Sequence, residues 1–206
     1  SYRRLRNTMR FILGSLSEPT ESEKIEPKDM PELEQWVLHR LSELDERVRK
    51  GYTEYDFQGV FQSVFTFATV ELSSFYFDIR KDVLYCDGDT LERRSARSVL
   101  NHIFVRLTTW LAPVLVFTME EVWLERYPGD ESSIHLTDMP STPKTWLNAE
   151  LAKKWAVIRQ ARRAVTAALE LQRTDKVIGS SLEASPIVYL EDQETFDILD
   201  SIPFTD

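Results

Sequence analysis

Residues 55–82 read YDFQGVFQSVFTFATVELSSFYFDIRKD, and this stretch decides the fold. Among its apolar residues are Phe57, Val60, Phe61, Val64, Phe65, Phe67, Leu72, Phe75, Tyr76 and Ile79. At about 100° per residue they cover most of the circumference of one long helix from about Tyr55 to Asp82. A helix that apolar belongs in the middle of a bundle. Working outward, Met30-Pro31 leads into a preceding helix with Leu33, Trp36, Val37, Leu41, Leu44 and Val48 as its core stripe, and Gly51 is expected to stop it. On the other side, Cys86-Asp87-Gly88-Asp89 reads as a turn, with Thr90 capping a helix that runs through Arg106 and Trp110. Pro113 then forces a break before a short helix ending near Tyr127-Pro128-Gly129.

The remaining segments fit the same plan. From Tyr2 to Leu16, Leu5, Met9, Ile12 and Leu16 share one helix face, and Arg3, Arg6, Asn7 and Arg10 share nearly the opposite one. Residues 17–31 are acidic and Pro-containing, and residues 128–147 carry Pro128, Pro140 and Pro143; both read as loops. A further helix covers about Ala149 to Gln172. Ile187-Val188-Tyr189-Leu190 then reads as a short strand, and Asp192 to Leu199 as a short helix capped by Asp192. The expected fold is mainly α, with a helical bundle over residues 1–182 and the start of a small α/β unit over 183–206.

Composition narrows the function. With 42% hydrophobic and 11% aromatic residues, a chain of 206 residues fills a real core, which excludes wholesale disorder. The balance of 25 basic against 34 acidic residues, net −9, argues against general nucleic-acid binding. Distribution matters more than the sum. Residues 1–16 hold Arg3, Arg4, Arg6 and Arg10 and no acid, and residues 151–178 hold seven basic residues against Glu170 and Asp175. Two basic stretches on an acidic protein still make a local phosphate-binding surface. Cys86 is the single cysteine, so no intrachain disulfide or Cys-rich zinc cluster forms, in keeping with a reducing cytoplasm. No apolar run approaches the roughly 18–20 residues of a membrane span, and no membrane partner is expected. Ser1-Tyr2 at the start and Ile202 to Asp206 at the end read as the limits of a piece cut from a longer chain.

No catalytic centre and no metal site is expected. His39, His102 and His135 are scattered, with no His or Cys at i, i+4. There is no P-loop, dinucleotide turn or nucleophile elbow, and Ile178-Gly179-Ser180-Ser181 offers one glycine, too few to cradle a phosphate. Glu120 and Glu121 are adjacent, so they point apart on a helix and read as a solvated face.

Several segments resemble the isoleucyl-tRNA synthetases, of class Ia, in order along nearly the whole chain. Tyr2 to Phe11 (YRRLRNTMRF) resembles the helix that follows the catalytic domain in that family. Leu72 to Asp82, followed by Leu84-Tyr85-Cys86, resembles its central bundle helix. Leu107 to Leu115 (LTTWLAPVL), with Thr118, Glu120-Glu121 and Trp123, is similar to a motif shared by class Ia synthetases generally. Lys176 to Ala184 (KVIGSSLEA) resembles the bundle exit of the isoleucyl and valyl members. The resemblance implies a C-terminal anticodon-binding domain of a cytoplasmic enzyme that joins isoleucine to its tRNA with ATP and magnesium. The partners would be isoleucine-accepting tRNA and the catalytic and editing domains of the same polypeptide. The piece itself would carry no cofactor and no catalysis, and the Cys-rich zinc unit that ends many bacterial members is not included here.

Sequence-specific RNA recognition uses splayed loop bases, stacking and Arg planes. The resemblance sets the first helix beside the anticodon, which makes Arg3, Arg6, Asn7 and Arg10 candidate contacts, and its arginines are expected to have no acid to pair them. Trp110 matches an anticodon-stacking Trp of some methionyl relatives, though a Trp before a helix-breaking Pro also suits a core. Arg80 and Lys81 end the central helix and suit either phosphate or the helix dipole. Arg159, Arg162, Arg163 and Lys176 suit tRNA stem phosphates, or lie over the bundle as snorkelling cations; Arg93, Arg94 and Arg97 rank lower. Three alternatives stay open at this point. They are the same domain of a valyl, leucyl or methionyl synthetase, a helical protein-interaction module marked by a leftover apolar stripe, and a bundle enzyme, which lacks its Glu-x-x-His pair.

Overall fold

The computed structural model describes residues 2–17 and 25–202. The middle of the acidic loop expected over 17–31, and Pro203 to Asp206, lie outside the described residues. The helices are α1 (Tyr2–Ser15), α2 (Glu32–Thr53), α3 (Phe57–Thr66), α4 (Phe77–Cys86), α5 (Leu91–Leu111), α6 (Val116–Arg126), α7 (Ala149–Thr174) and α8 (Gln193–Asp200). They fall into two compact units, Ser1–Leu147 and Asn148–Asp206.

In the first unit each helix buries the stripe its periodicity dictates. Leu5, Met9 and Ile12 of α1 and Trp36, Val37, Leu38 and Leu41 of α2 are buried. Asp56 caps α3 by accepting from the Gly59 amide at 2.9 Å, and Thr90 caps α5 by accepting from Arg93 at 3.2 Å. Leu111 to Leu115 then turn at Pro113, as a residue without an N–H requires. The centre of the bundle is α5, where Phe104, Ile103, Leu107 and Trp110 are wholly buried. That corrects the expectation for the Phe-rich stretch, in which Phe57 and Val70 are about half exposed.

The Phe-rich stretch also departs from one regular helix. Between α3 and α4, Phe67–Tyr76 widen into π-helical geometry. The hydroxyls of Ser73 and Ser74 donate to the carbonyls of Ala68 and Thr69, five residues back, at 3.0 and 2.9 Å. The widened turn meets α1, where Ser73 Oγ lies 2.8 Å from Thr8 Oγ1. No periodicity argument reveals such a turn, because it preserves apolar content while shifting phase.

Gly51 does not stop α2, which runs on to Thr53. The helix ends instead with Tyr55 in the left-handed region (φ 60°), where the Asp56 amide bonds the Gly51 carbonyl at 2.8 Å. Gly51 is there because α3 passes so close that a Cβ would collide with Val60 Cγ2. Gly51→Ala is therefore expected to destabilise the chain by about 1–3 kcal/mol through overpacking, despite alanine's better helix propensity. Urea unfolding checks this, and a stabilised variant would contradict the close approach.

The loop after α6 is tied to the bundle by the buried side chains of Ile134 and Trp146 and by polar contacts. The guanidinium of Arg106 donates to Thr142 Oγ1 and the Ser141 carbonyl at 3.1 and 2.9 Å and lies 4.6 Å from the Trp146 ring. Burial, with Arg106 nearby, pushes the His102 imidazole down to about 4, so it stays neutral at physiological pH.

In the second unit, Asn148 caps α7 by accepting from Leu151 at 3.0 Å, and Asp192 caps α8 by accepting from Thr195 at 2.7 Å. Residues 184–190 form no strand, so the helix expected after Asp192 is present and the strand expected before it is not. A strand needs a neighbour for its N–H and C=O groups, and Ile187 and Tyr189 stand exposed without one among the described residues. No described helix is long and apolar enough to cross a membrane.

Candidate nucleic-acid interface

The apolar stripe of α1 turns one face of that helix inward and leaves Arg3, Arg6, Asn7 and Arg10 exposed on the other. Two arginines fix the helix by its last carbonyls. Arg97, almost fully buried, donates to the Ser15 carbonyl at 3.0 Å, and Arg126 donates to the Leu16 carbonyl at 2.9 Å. Cations suit that end of a helix. Arg97 is thus structural. Arg126 also donates to Asn101 Oδ1 at 3.0 Å and lies over the rings of Phe104 and Tyr127.

An open groove of about 990 Å3 runs between α1 and α6. Arg3, Arg6, Asn7 and Arg10 all line it, with Met9, Leu13 and Val122 as apolar ground and Glu121 and Glu125 opposite. Such a groove supplies guanidinium planes for stacking, an amide that both donates and accepts, and carboxylates that accept from base amino groups. One expectation needs correcting. Arg6 does have an acidic neighbour, because Glu121 Oε1 of α6 lies 3.6 Å from its Nη2, with both side chains more than half exposed. An exposed pair of this kind is weak, so Arg6 can leave it for a ligand. Helix α1 carries no acid, and nothing local in the sequence says that α6 lies alongside it. Glu120, read as solvated, instead accepts from Ser133 Oγ and the Ile134 amide at 3.0 and 2.9 Å, pinning the turn that follows α6.

The other candidates divide. Arg80 donates through Nε and Nη2 to the two carboxylate oxygens of Glu34, at 2.8 Å each, and Tyr76 donates to the same carboxylate at 3.0 Å. Burial opposes the charge on Arg80, but the Glu34 hydrogen bonds outweigh it and raise its pKa. Lys81 is exposed beside Asp78 at 3.1 Å. Trp110 has no exposed surface, and its backbone carbonyl accepts from the Tyr52 hydroxyl. The indole therefore cannot stack on a base while the bundle is folded.

On α7, Arg163 is exposed and Arg159 and Arg162 are partly so; the i, i+4 spacing puts Arg159 and Arg163 on one face. Lys176 lies beyond the end of that helix. It occupies the left-handed region (φ 58°), and the Val177 amide closes the turn on the Gln172 carbonyl at 2.9 Å. Glycine is the usual residue there. A hollow of about 480 Å3 gathers Lys176 with Arg173, Glu170, Thr174 and Gly179. Lys176 thus sits apart from Arg163, roughly 20 Å along the axis at 1.5 Å per residue.

A family profile described as the anticodon-binding domain of tRNA ligase matches residues 34–188. The chain is similar over its whole length to an isoleucine–tRNA ligase of Ruegeria pomeroyi, with 67% identity. It is 52% identical over its whole length to one of Brucella abortus, and 49% identical over 98% of its length to one of Bartonella henselae. The first two alignments include α1, which precedes the profile match. In each case the chain spans about a fifth (21%) of the relative's length.

Proposed function

The chain belongs to the anticodon-binding domains of tRNA ligases, and from that premise we propose that it reads isoleucine-accepting tRNA as part of a cytoplasmic isoleucine–tRNA ligase. The exposed face of α1 in its groove carries this reading, because three arginines and an amide meet there on one rigid element. Arg6 is the base-reading residue, and Arg3, Asn7 and Arg10 flank it. Arg159, Arg163 and Lys176 supply phosphate contacts, and Lys81 is a weaker candidate of the same kind. Arg80 and Trp110 serve the bundle rather than the RNA. The RNA-binding bundle is set at residues 1–182, which takes in α7 from the second compact unit, and residues 183–206 begin a further small unit. ATP and magnesium belong to catalytic domains elsewhere in the same polypeptide, as does editing, and a zinc unit, where the ligase has one, lies outside this chain. The relatives' names and the high identity over the whole chain favour the isoleucyl branch over the valyl, leucyl and methionyl ones.

Binding to isoleucine tRNA is expected to be weak and salt-sensitive, since each neutralised phosphate releases counterions. Gel-shift titration at low and moderate salt, with a second tRNA of altered anticodon, checks both parts. Affinity indifferent to salt contradicts the phosphate contacts, and affinity indifferent to the anticodon contradicts the groove as a reader.

A further inference from the structure

The groove beside α1 sets a carboxylate against its middle arginine, where a surface meant only to hold phosphate would keep the cation clear. Three contacts place that carboxylate. The Tyr2 hydroxyl at the start of α1 lies 2.9 Å from Thr118 Oγ1 at the start of α6. Farther along, Arg6 Nη2 lies 3.6 Å from Glu121 Oε1. At the far end Arg126 donates to the Leu16 carbonyl at 2.9 Å. Helices α1 and α6 therefore run side by side in the same direction, tied at both ends. Glu121 and Glu125 are four residues apart, so one face of α6 carries both acids into the groove.

The acid is fixed in place but holds its partner loosely. At 3.6 Å the two groups attract as charges without a hydrogen bond, so the fork of Arg6 is free to turn to a ligand. Glu121 stays in the groove when it does, because α6 is pinned to α1. Its neighbour Glu120 is committed to the turn after α6 and takes no part. A ligand that reaches Arg6 thus meets Glu121 as well. A phosphate oxygen brings a negative charge to within a few ångströms of that carboxylate, and the repulsion grows as the ligand displaces water. The edge of an unpaired base is neutral. It accepts from the guanidinium, and its amino group can donate to the carboxylate.

We propose that Glu121 is a specificity-determining residue, which bars backbone phosphate from Arg6 and so reserves that arginine for an unpaired base. The proposal rests on the reading of the α1 groove as the face that meets tRNA. Discrimination is a difference of affinities, and a like charge set against the wrong ligand supplies it as well as a new contact to the right one. Without Glu121, Arg6 would add to the attraction that any RNA backbone feels for exposed arginines, and that attraction carries no sequence information.

Affinities of the wild type, Glu121→Gln, and Glu121→Gln combined with Arg6→Ala test this. Each is measured by gel shift over a range of salt, against isoleucine tRNA and a copy with an altered anticodon. Glu121→Gln is expected to bind the altered copy several-fold more tightly and to gain less on the matched tRNA, so the ratio of the two affinities falls several-fold. On the altered copy the slope of log affinity against log salt is expected to steepen by about 0.7, the mark of one more phosphate contact on a single strand. Adding Arg6→Ala is expected to abolish both changes. Glu125→Gln removes the same charge one turn away and reports what charge alone does. An equal gain on both tRNAs overturns the proposal, as does the same fall in the ratio from Glu125→Gln, or a gain that persists without Arg6. Inorganic pyrophosphate, titrated calorimetrically, keeps the two readings apart. It is expected to bind Glu121→Gln several-fold more tightly than wild type, and only while Arg6 is present. That gain in a chain that does not distinguish the two tRNAs supports the barrier and sinks the anticodon reading; its absence sinks the barrier alone.

Discussion

Glu34→Ala is expected to lower the stability of the chain by about 3–5 kcal/mol, the cost of breaking a buried ion pair from one side. Glu34 is wholly buried and receives three hydrogen bonds, two from Arg80 and one from the Tyr76 hydroxyl. Removing the carboxylate leaves a largely buried guanidinium and a fully buried phenol unpartnered, and each carries its own desolvation penalty. The Tyr76 hydroxyl cannot relieve this by ionising, since burial raises it well above its ordinary range. Replacing both charges, as in Glu34→Leu with Arg80→Met, is expected to recover much of the loss, because a well-packed apolar pair of similar volume is often neutral. Denaturant unfolding of the single and double variants decides it. A single-variant loss below about 1 kcal/mol would show that Arg80 is free to swing out, and would return it to the list of phosphate contacts.

Trp110→Ala should cost a similar amount, about 3–5 kcal/mol, by emptying the middle of the bundle. The indole packs where α5 is most deeply buried, and the Tyr52 hydroxyl closes on the same residue's carbonyl. For a chain of this size that loss lowers the melting temperature on the order of 10 °C. A base-stacking role predicts the opposite pattern, with unchanged melting and weakened tRNA binding. Calorimetry beside gel shift separates the two, and an unchanged melt with lost affinity would falsify the core assignment.

The fold was legible wherever apolar residues recur at helical spacing. Helices α1, α2, α5, α6 and α7 begin and end within a few residues of the positions that their stripes and caps mark, and Thr90 and Asp192 are the side-chain caps that the sequence shows, whereas the cap by Asn148 is visible only in the structure. What was not legible depends on partners distant in sequence. Gly51 looks like a stop and is a point of close approach, which only the presence of Val60 across from it reveals. Ile187–Leu190 has the composition of a strand, but no neighbouring strand among the described residues satisfies its backbone. The site was partly legible for the same reason. The cationic face of α1 is a property of one helix, so the periodicity gives it whole. The acids that face it lie on α6, more than a hundred residues away, and Arg80, for all its position at a helix end, belongs to a carboxylate forty-six residues earlier.

Arg6 stands where these strands meet, since it is exposed on a fixed helix, lines the groove and holds Glu121 only loosely. The most direct measurement is a two-by-two set of affinities, wild type and Arg6→Ala against isoleucine tRNA and a copy with an altered anticodon. A base-reading arginine contributes roughly 1–3 kcal/mol with the correct partner and little with the wrong one, whereas a phosphate contact contributes equally to both. The expected result is that Arg6→Ala weakens the matched tRNA by that amount and barely changes the altered one, while Arg163→Ala weakens both alike. Loss of the same factor by Arg6→Ala on both RNAs would contradict the assignment of anticodon reading to the α1 groove.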